Sequence, residues 1–252
     1  MVWLILPTYD EAGNVERAVE AALASLRRVA PGAHRVLVVD DDSPDGTGEI
    51  ADRLAERHDA VGVLHRSARE GLGPAYLAGF DAALRGGATL VLQMDADLSH
   101  DPADVVRLVE AARDADLVLG SRYVRGGQVL DWGPVRRVLS RGGSWYARTV
   151  LGLDVRDLTG GFKCFRREVL ESIDLAEARS HGYVFQVELT YRAVQAGFRV
   201  REIPVTFRDR TRGTSKMSWR IALEAALLVP RLRFGRRGRA VGAHMRALSD
   251  MR

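Results

Sequence analysis

Two carboxylates stand two residues apart at the end of an apolar run. Asp95 and Asp97 follow residues 90–94 directly, so a turn at a strand end could present both side chains to one divalent cation. Carboxylate oxygens are hard ligands, and such ligands favour Mg²⁺ or Mn²⁺. A cation held there can bridge the oxygens of a diphosphate and neutralise the charge on a departing nucleoside diphosphate. The alternative is that the pair only caps the helix predicted to begin near Pro102.

Similar polar clusters follow other apolar runs of the chain. They are residues 7–11 after the run at 2–6, residues 40–46 after the run at 36–39, and residues 120–123 after the run at 117–119. Helix capping does not explain all of them, although residues 42–46 also have the composition of a turn and helix cap. In a nucleotide site, the ring of Tyr9 can stack on a base, and an aspartate at a strand end can accept a hydrogen bond from a base or ribose.

A regular alternation of β-rich runs and helical patterns predicts the elements that position these clusters. The predicted strands are 2–6, 36–39, 61–64, 90–94 and 117–119, and the predicted helices are 14–28, 47–57, 74–84 and 102–112. This alternation is typical of a parallel α/β sheet, in which ligands bind at the carboxyl ends of the strands. We therefore predict that the polar clusters meet on one rim of a doubly wound, Rossmann-like sheet flanked by helices.

From about Asp131 the alternation weakens. A helix at 134–151, a short strand at 163–165, a helix at 184–196 and a strand at 200–207 are predicted there. We interpret residues 1–218 as one domain. Its first half, at about 1–123, would bind the donor substrate of a group transfer, and its second half, at about 124–218, would bind the acceptor substrate.

Basic residues of the second half suit a phosphorylated acceptor, because the planar fork of arginine matches a phosphate. Arg122 belongs to the cluster after the fifth strand, while Arg136 and Ser140 lie four residues apart on one helix face and could close on the same phosphate. The alternative for Arg136 is an ordinary solvated helix face. Residues 208–216 are polar and follow a strand, which indicates either a mobile lid or a surface loop.

The charge of the chain is unevenly distributed. Its net charge is only +4, but residues 199–252 carry 14 Arg and Lys against 4 Asp and Glu, and residues 1–198 carry 23 against 29. Residues 219–252 are predicted to form a basic amphipathic segment that lies on a membrane surface, and the alternative is a solvated basic end. Nucleic acid is the less favoured partner, because the body is acidic and lacks a recognition motif. No apolar run approaches the length of a spanning helix.

On these residues the chain resembles the family 2 glycosyltransferases of the GT-A fold, and within them the polyprenol (dolichol) phosphate mannose synthases. The resemblance covers about residues 2–218. Eight segments support it, in family order: 6–11, 39–47, 71–76, 94–100, 120–123, 158–162, 182–186 and 210–216.

The resemblance implies a role for each site residue. The nucleotide would contact Pro7, Tyr9, Glu11, Val38 and Asp40, and its ribose and diphosphate would reach Asp95, Ala96 and Asp97. Ser99 stands where some relatives carry a glutamine that reaches the metal, so Ser99 or a water completes the Mg²⁺ or Mn²⁺ site. Arg210 and Lys216 would bind the donor phosphates and, with Asp95, Asp97 and Arg122, serve catalysis.

The implied reaction is inverting transfer of mannose from GDP-mannose to a polyprenyl monophosphate. No general base is required, because the acceptor phosphate is already anionic. The alternatives are another donor such as UDP-glucose, or a nucleotide-sugar-binding module without turnover. The implied location is the cytoplasmic face of a membrane, reached by peripheral contact or through a separate membrane-anchoring protein.

Overall fold

The computed structural model describes residues 1–173, 175, 182–209 and 228–234. The strands are β1 (Val2–Thr8), β2 (His34–Asp40), β3 (Val61–His65), β4 (Leu90–Gln93), β5 (Leu117–Ser121), β6 (Gln128–Val129), β7 (Lys163–Arg166), β8 (Val200–Pro204) and β9 (Thr206–Phe207). The helices are α1 (Val15–Val29), α2 (Thr47–Arg57), α3 (Leu72–Arg85), α4 (Asp104–Ala111), α5 (Pro134–Leu151), α6 (Arg167–Ser172) and α7 (Gly182–Gln195).

The main sheet is mixed but mostly parallel. Its strand order is β3-β2-β1-β4-β7-β5-β8, and only β7 runs antiparallel to its neighbours. Strands β6 and β9 form a separate parallel pair. The chain reverses its direction of strand addition at β1, which lies between β2 and β4, and such a switch point is where open sheets bind ligands. The predicted α/β sheet flanked by helices is confirmed.

Strand β7 lies in the middle of this sheet, a position that the sequence did not predict. It separates β4 from β5, with Val91 opposite Phe165 and Val118 opposite Cys164. The fourth and fifth predicted strands are therefore not neighbours. Because β7 comes from the predicted acceptor half, the main sheet contains strands from both halves of the chain.

The strands bury side chains on both faces of the sheet. Leu4 and Val36 belong to the core cluster that also contains the inner residues of α1, α2 and α4, and Ile5 and Leu37 belong to the cluster that contains those of α3, α5 and α7. Successive residues of a strand point to opposite faces, so the continuous apolar runs of the sequence serve two cores.

The described part of the predicted membrane segment is a short helical stretch in its middle, 228–234. Val229 is buried in the core, and Nη1 of Arg233 donates a hydrogen bond to the carbonyl oxygen of Val150 in α5 at 2.6 Å. Most of the predicted segment 219–252 lies outside the described residues, so its membrane role stays a prediction. None of the described helices is long and apolar enough to cross a membrane.

Candidate functional site

The loops that follow β1 and β2 are joined by hydrogen bonds to buried carboxylates. Oδ1 of Asp40 accepts from Oγ1 of Thr8 at 3.1 Å and from Oγ of Ser43 at 2.6 Å, and Oδ2 accepts from the backbone N–H of Ser43 at 3.2 Å. Asp40 therefore fixes the turn that begins at the end of β2. Its predicted contact with the nucleotide stays a prediction.

Asp45 closes the same junction from the other side. Its carboxylate accepts from the backbone N–H of Thr47 at 3.1 Å and from that of Ala12 at 2.9 Å, and the backbone N–H of Glu11 donates to Oγ1 of Thr47 at 2.9 Å. Burial raises the pKa of Asp45, but the hydroxyl of Thr47, which donates to Oδ1 of Asp45 at 2.5 Å, and the backbone donors outweigh burial, so this pKa lies below its ordinary value. The expected turn before α2 is present. The residue at the N-cap position is Gly46, which has no capping side chain, and Asp45 accepts from the first backbone N–H of α2 instead.

Three of the predicted nucleotide residues lie at or beneath this rim. The ring of Tyr9 is half-buried, and the guanidinium of Arg69 lies over it at 3.9 Å from the ring centroid. Pro7 is buried, and the side chain of Val38 is fully buried in the core. Val38 thus supports the rim from beneath, because its side chain does not reach the surface.

Asp95 and Asp97 occupy one tight turn after β4, as the sequence predicts. Oδ1 of Asp95 accepts from the hydroxyl of Tyr76 at 3.1 Å, and Oδ1 of Asp97 accepts from the backbone N–H of Ser99 at 3.0 Å. Leu98, which follows Asp97, has a φ of 59°, which makes the turn sharp. Burial, and then the charge of Asp95, raise the pKa of Tyr76 well above its ordinary value, so Tyr76 stays a hydrogen-bond donor.

The residues of this turn fit a divalent cation. Within the described part of the chain, no group of three His, Cys, Asp or Glu could hold a metal. The turn does contain a third hard oxygen, since the buried Oγ of Ser99 has no hydrogen-bond partner in the structure. An unsatisfied buried hydroxyl costs free energy, and a cation bound by Asp95, Asp97 and Ser99 would satisfy it.

His100 follows this turn and supports it. Its ring packs against Phe162 and Phe207, with centroid distances of 4.9 and 5.1 Å. Burial lowers the pKa of His100 to about 4, against the opposing influence of Asp97, so the ring is neutral near pH 7. This packing agrees with the supporting role that the sequence favoured over metal ligation.

Arg122 lies in a buried ion pair rather than open on the rim. Its Nε and Nη2 donate to the two carboxylate oxygens of Asp157, both at 2.7 Å, and Nη2 also donates to Oγ1 of Thr159 at 2.9 Å. Burial raises the pKa of Asp157, but the charge of Arg122 outweighs burial, and that pKa lies below its ordinary value. The sequence did not single out Asp157, which stands just before the glycine-rich turn at 159–161. The predicted contact of Arg122 with an acceptor phosphate stays a prediction.

The other two predicted acceptor residues lie around the same aromatic rings as Arg122. Arg136 stacks on Trp132 at 4.1 Å and donates to both carboxylate oxygens of Asp209 at 2.8 Å. Ser140 accepts from the hydroxyl of Tyr123 at 2.6 Å. The guanidinium of Arg122 lies 5.2 Å from the Tyr123 ring and 5.6 Å from the Trp132 ring.

The structure thus brings Arg122, Arg136 and Ser140 together, as the sequence predicts. Trp132 was not predicted, because it belongs to no local motif. Asp209 belongs to the polar segment 208–216, but no contact with Arg136 was predicted for it. Arg210 and Lys216, which were expected to bind the donor phosphates, lie outside the described residues.

Known proteins resemble this chain over most of its length. Residues 3–174 match the model of glycosyl transferase family 2. The chain is 48% identical to polyprenol monophosphomannose synthase of Mycolicibacterium smegmatis, covering 94% of this chain and 87% of that protein. It is 46% identical to undecaprenyl-phosphate mannosyltransferase of Micrococcus luteus, covering 91% and 93%.

Two solved structures share the fold at lower identity. The mannosyltransferase PcManGT of Pyrobaculum calidifontis, in complex with GDP-Man and Mn²⁺, gives a TM-score of 0.62 at 21% identity over 92% of this chain, which spans 63% of that protein. Glucosyl-3-phosphoglycerate synthase of Mycobacterium tuberculosis, in complex with Mn²⁺, UDP-glucose and glycerol 3-phosphate, gives 0.67 at 20% identity over 93% of this chain and 80% of that protein. The predicted GT-A fold is confirmed, and the chain belongs to glycosyl transferase family 2, with close relatives among the polyprenyl-phosphate mannosyltransferases.

Proposed function

We propose that this enzyme transfers mannose from GDP-mannose to a polyprenyl monophosphate with inversion at the anomeric carbon. The supporting observation is that two parts of the site lie next to each other. They are the acidic turn, which contains Asp95, Asp97 and Ser99, and the arginine cluster, which contains Arg122 and Arg136. Phe207 contacts the ring of His100, which follows the acidic turn, and it also lies against Trp132 and 5.5 Å from the guanidinium of Arg122. A site of this kind suits two phosphorylated substrates. The names of the relatives at 46% and 48% identity agree with mannose as the sugar and a polyprenyl phosphate as the acceptor.

At the donor end, Asp95, Asp97 and Ser99 would hold a divalent cation, Mg²⁺ or Mn²⁺. When bound, this cation neutralises charge on the diphosphate of the leaving GDP. Tyr76 orients Asp95 through its hydrogen bond, and the backbone N–H of Ser99 orients Asp97. Because these contacts are already made, the carboxylates need little reorganisation when the donor binds.

At the acceptor end, Arg136 would exchange Asp209 for the phosphate of the polyprenyl monophosphate. Asp157 holds the guanidinium of Arg122 in a fixed orientation beside it through two hydrogen bonds. An acceptor oxygen forms a bond to the anomeric carbon while the bond from that carbon to the GDP oxygen breaks. The acceptor oxygen is already deprotonated, so the chain's contribution is alignment and electrostatic stabilisation rather than proton transfer.

A donor panel tests this proposal. Purified protein would be incubated in detergent with a polyprenyl monophosphate, a divalent cation, and GDP-mannose, UDP-glucose or UDP-galactose in turn. We expect a lipid-linked sugar only when GDP-mannose is the donor. NMR should show the β configuration at its anomeric carbon. Transfer from a UDP-sugar alone would refute the proposed donor. Calorimetric binding of GDP-mannose without any lipid-linked product would favour the non-catalytic binding module.

A further inference from the structure

Several buried polar atoms around the site have no hydrogen-bond partner. In the described part of the chain, eight buried side-chain nitrogen and oxygen atoms lack one, and two of these eight lie together on the acceptor side. They are Nε1 of Trp132 and Nε of Arg136. Native proteins pair nearly all their buried polar groups, and an exception indicates a catalytic role or a bound water or ion. These two atoms therefore call for a ligand.

The ring of Trp132 is held firmly beside the arginine cluster. The residue is only 5% exposed, and its ring meets that of Phe207 edge-on, with 5.2 Å between the centroids. The guanidinium of Arg136 lies 4.1 Å from the ring centroid, and that of Arg122 lies 5.6 Å from it. An indole side chain has only two rotatable bonds, and this packing restricts both. The direction of its N–H is therefore set by the fold.

The chemistry of the two atoms defines the ligand that they fit. The indole nitrogen and the guanidinium nitrogens donate hydrogen bonds and accept none, so the ligand must supply accepting atoms. Both donors also lie within a group of positive charges, so the ligand should be an anion. A phosphate meets both requirements, because its oxygens accept several hydrogen bonds and arginine matches its charge.

The carboxylates of the site do not fill this place. Asp157 is fully buried, and both its oxygens accept from Arg122. Asp209 accepts from Nη1 of Arg136 through both oxygens, which leaves Nε of Arg136 and the indole N–H of Trp132 without a partner. The side chains of Arg136 and Asp209 are 19% and 29% exposed, so an anion can approach this side of the cluster from solvent.

Ser140 provides a further donor in the same short stretch of chain. The hydroxyl of Tyr123 donates to Oγ of Ser140 at 2.6 Å. Because Ser140 accepts there, its own hydroxyl proton points elsewhere and can be donated to a phosphate oxygen. Ser140 lies one turn after Arg136 in α5, and Trp132 stands two residues before this helix begins. The segment 132–140 thus supplies three donors of different kinds.

We propose that the indole N–H of Trp132 binds the phosphate of the acceptor, together with the Nε–H of Arg136. The proposal rests on the proposed polyprenyl monophosphate acceptor, and it adds a contacting residue that neither charge nor motif indicated. Arginine side chains supply charge but adjust their position, whereas the packed indole holds one phosphate oxygen in a fixed direction. Trp132 would thereby orient the phosphate for attack on the anomeric carbon.

NMR of the indole N–H tests this proposal directly. The chain has four tryptophans, so the protein labelled with ¹⁵N-tryptophan gives four indole signals, and the signal lost in Trp132→Phe belongs to Trp132. Geranyl phosphate, a short and soluble isoprenyl monophosphate, would be titrated into the full-length chain. Geraniol and inorganic phosphate would be titrated separately. We expect geranyl phosphate to move the Trp132 proton signal downfield, because a hydrogen bond to an anionic oxygen deshields the proton, and we expect no shift with geraniol.

The arms of this titration separate the possible ligands. A downfield shift with inorganic phosphate as well would support recognition of the phosphate group itself. A shift with geranyl phosphate only would support a site that also needs the isoprenyl chain. A Trp132 signal that stays in place throughout the titration with geranyl phosphate would overturn the proposal, and so would an equal shift with geraniol.

Kinetics of Trp132→Phe provide a second test, since phenylalanine removes the N–H but keeps a ring for Arg136. We expect the KM for polyprenyl monophosphate to rise about tenfold or more, as for the loss of one hydrogen bond to a charged group, while the KM for GDP-mannose changes little. Partial unfolding would lower turnover instead of raising the KM for one substrate. An unchanged acceptor KM in the folded variant would contradict the proposal.

Trp3→Phe is the matched control. Trp3 is also buried and has a guanidinium near its ring, that of Arg35 at 5.4 Å, but its N–H already has a partner in the sulfur of Met1 at 3.0 Å. It lies at the start of β1, at the opposite end of the strand from the site. We expect neither KM to change in this variant. An equal rise of the acceptor KM in Trp3→Phe would refute a specific role for Trp132.

This proposal and the proposed function fail separately. If the Trp132 signal responds to geranyl phosphate and no donor yields a lipid-linked sugar, the phosphate site stands and the transfer reaction is refuted. If lipid-linked mannose forms while neither the signal nor the acceptor KM responds, the transfer reaction stands and the role of Trp132 is refuted.

Discussion

At the scale of single residues, the acidic turn is held in place by a side chain that lies far from it in the sequence. Asp95 and Asp97 were predicted from their spacing at a strand end, and the structure places both on one turn. The hydroxyl of Tyr76 was not predicted, because α3 reaches Asp95 only in the folded chain. The same is true of Asp157, which reaches Arg122 across 35 residues of sequence. Local motifs identified the reactive groups, whereas their supports are set by tertiary packing.

Replacing Asp97 by alanine should abolish turnover that depends on a divalent cation while leaving the fold intact. Its carboxylate is one of two in the predicted cation site, and it accepts a hydrogen bond from the backbone N–H of Ser99 at 3.0 Å. Asp101→Ala is a matched control, because Asp101 is an exposed aspartate of the same loop that accepts from Ala103 at 2.9 Å. Radiolabelled mannose transfer would be measured against cation concentration. A folded Asp97→Ala protein with near-normal activity would refute the metal assignment.

Replacing Asp157 by asparagine should lower the free energy of unfolding by about 3–5 kcal/mol, because it leaves the buried charge of Arg122 without its partner. Asp154→Asn is the control, since it alters an exposed pair with Arg148 and should barely change the denaturation midpoint. Urea unfolding followed by circular dichroism measures both. Equal effects of the two substitutions would contradict a special role for the buried pair.

Lys163 should make stability depend on pH. Its Nζ donates to the carbonyl oxygen of Gln186 at 2.7 Å and to Oγ1 of Thr190 at 2.9 Å, and burial lowers its pKa to about 7. In an unfolded chain the pKa of lysine is about 10.4. Between about pH 7 and this value, the unfolded chain therefore binds more protons than the folded chain. Raising the pH from about 7 to about 10 should therefore stabilise the protein.

The variant Lys163→Met isolates this effect. The free energy of unfolding of the unmodified protein, measured relative to that of Lys163→Met, should increase over the same pH range. The comparison cancels the other groups that titrate there, such as Cys164. The same pH dependence in both proteins would show that Lys163 does not titrate between its folded and unfolded pKa values.

At the scale of elements, strong periodic patterns were enough to locate most helices and strands. The bounds of α2 and α5 agree with the predicted 47–57 and 134–151, because each helix has a clear amphipathic pattern and a terminal signal. The strand predicted at 200–207 is divided into β8 and β9, and β6 was not predicted. Two residues have no periodicity, so Gln128–Val129 and Thr206–Phe207 become a sheet only through their pairing.

The contact between α3 and β1 depends on a glycine. A Cβ at Gly79 would lie 2.4 Å from Cγ2 of Ile5, so Gly79→Ala should destabilise the protein by about 1–3 kcal/mol through overpacking. Gly142→Ala in α5 meets no atom within 4 Å and should stabilise the protein by roughly 0.5–1 kcal/mol, because alanine loses less backbone entropy. Thermal and urea unfolding measure the sign of the stability change in each variant. A stabilising Gly79→Ala would contradict the close approach of α3.

At the scale of the whole molecule, the main sheet joins early and late parts of the chain. In the sheet, β5 is bonded only to β7 and β8, and both lie after residue 123. The sequence predicted the parallel sheet but not the insertion of β7 between β4 and β5, because the order of strands follows from long-range pairing. The division into a donor half and an acceptor half stays a prediction about function.

A fragment of residues 1–123 should not fold cooperatively. It would lack the partners of β5 and the core residues Phe162 and Cys164. Urea unfolding of the fragment and of the full chain would be compared by circular dichroism, with calorimetry to detect nucleotide binding. A fragment that unfolds in one sharp transition and binds GDP would show that the donor half is an independent unit.

The late position of β7 also affects the growing polypeptide on the ribosome. The acidic turn follows β4, and Gly161, which lies against Asp95, is synthesised long afterwards, just before β7. An incomplete nascent chain therefore has its carboxylates but not the strand that sets them in place. We expect donor binding to begin only when the arginine cluster is also being assembled, so that unfinished chains do not sequester the nucleotide-sugar.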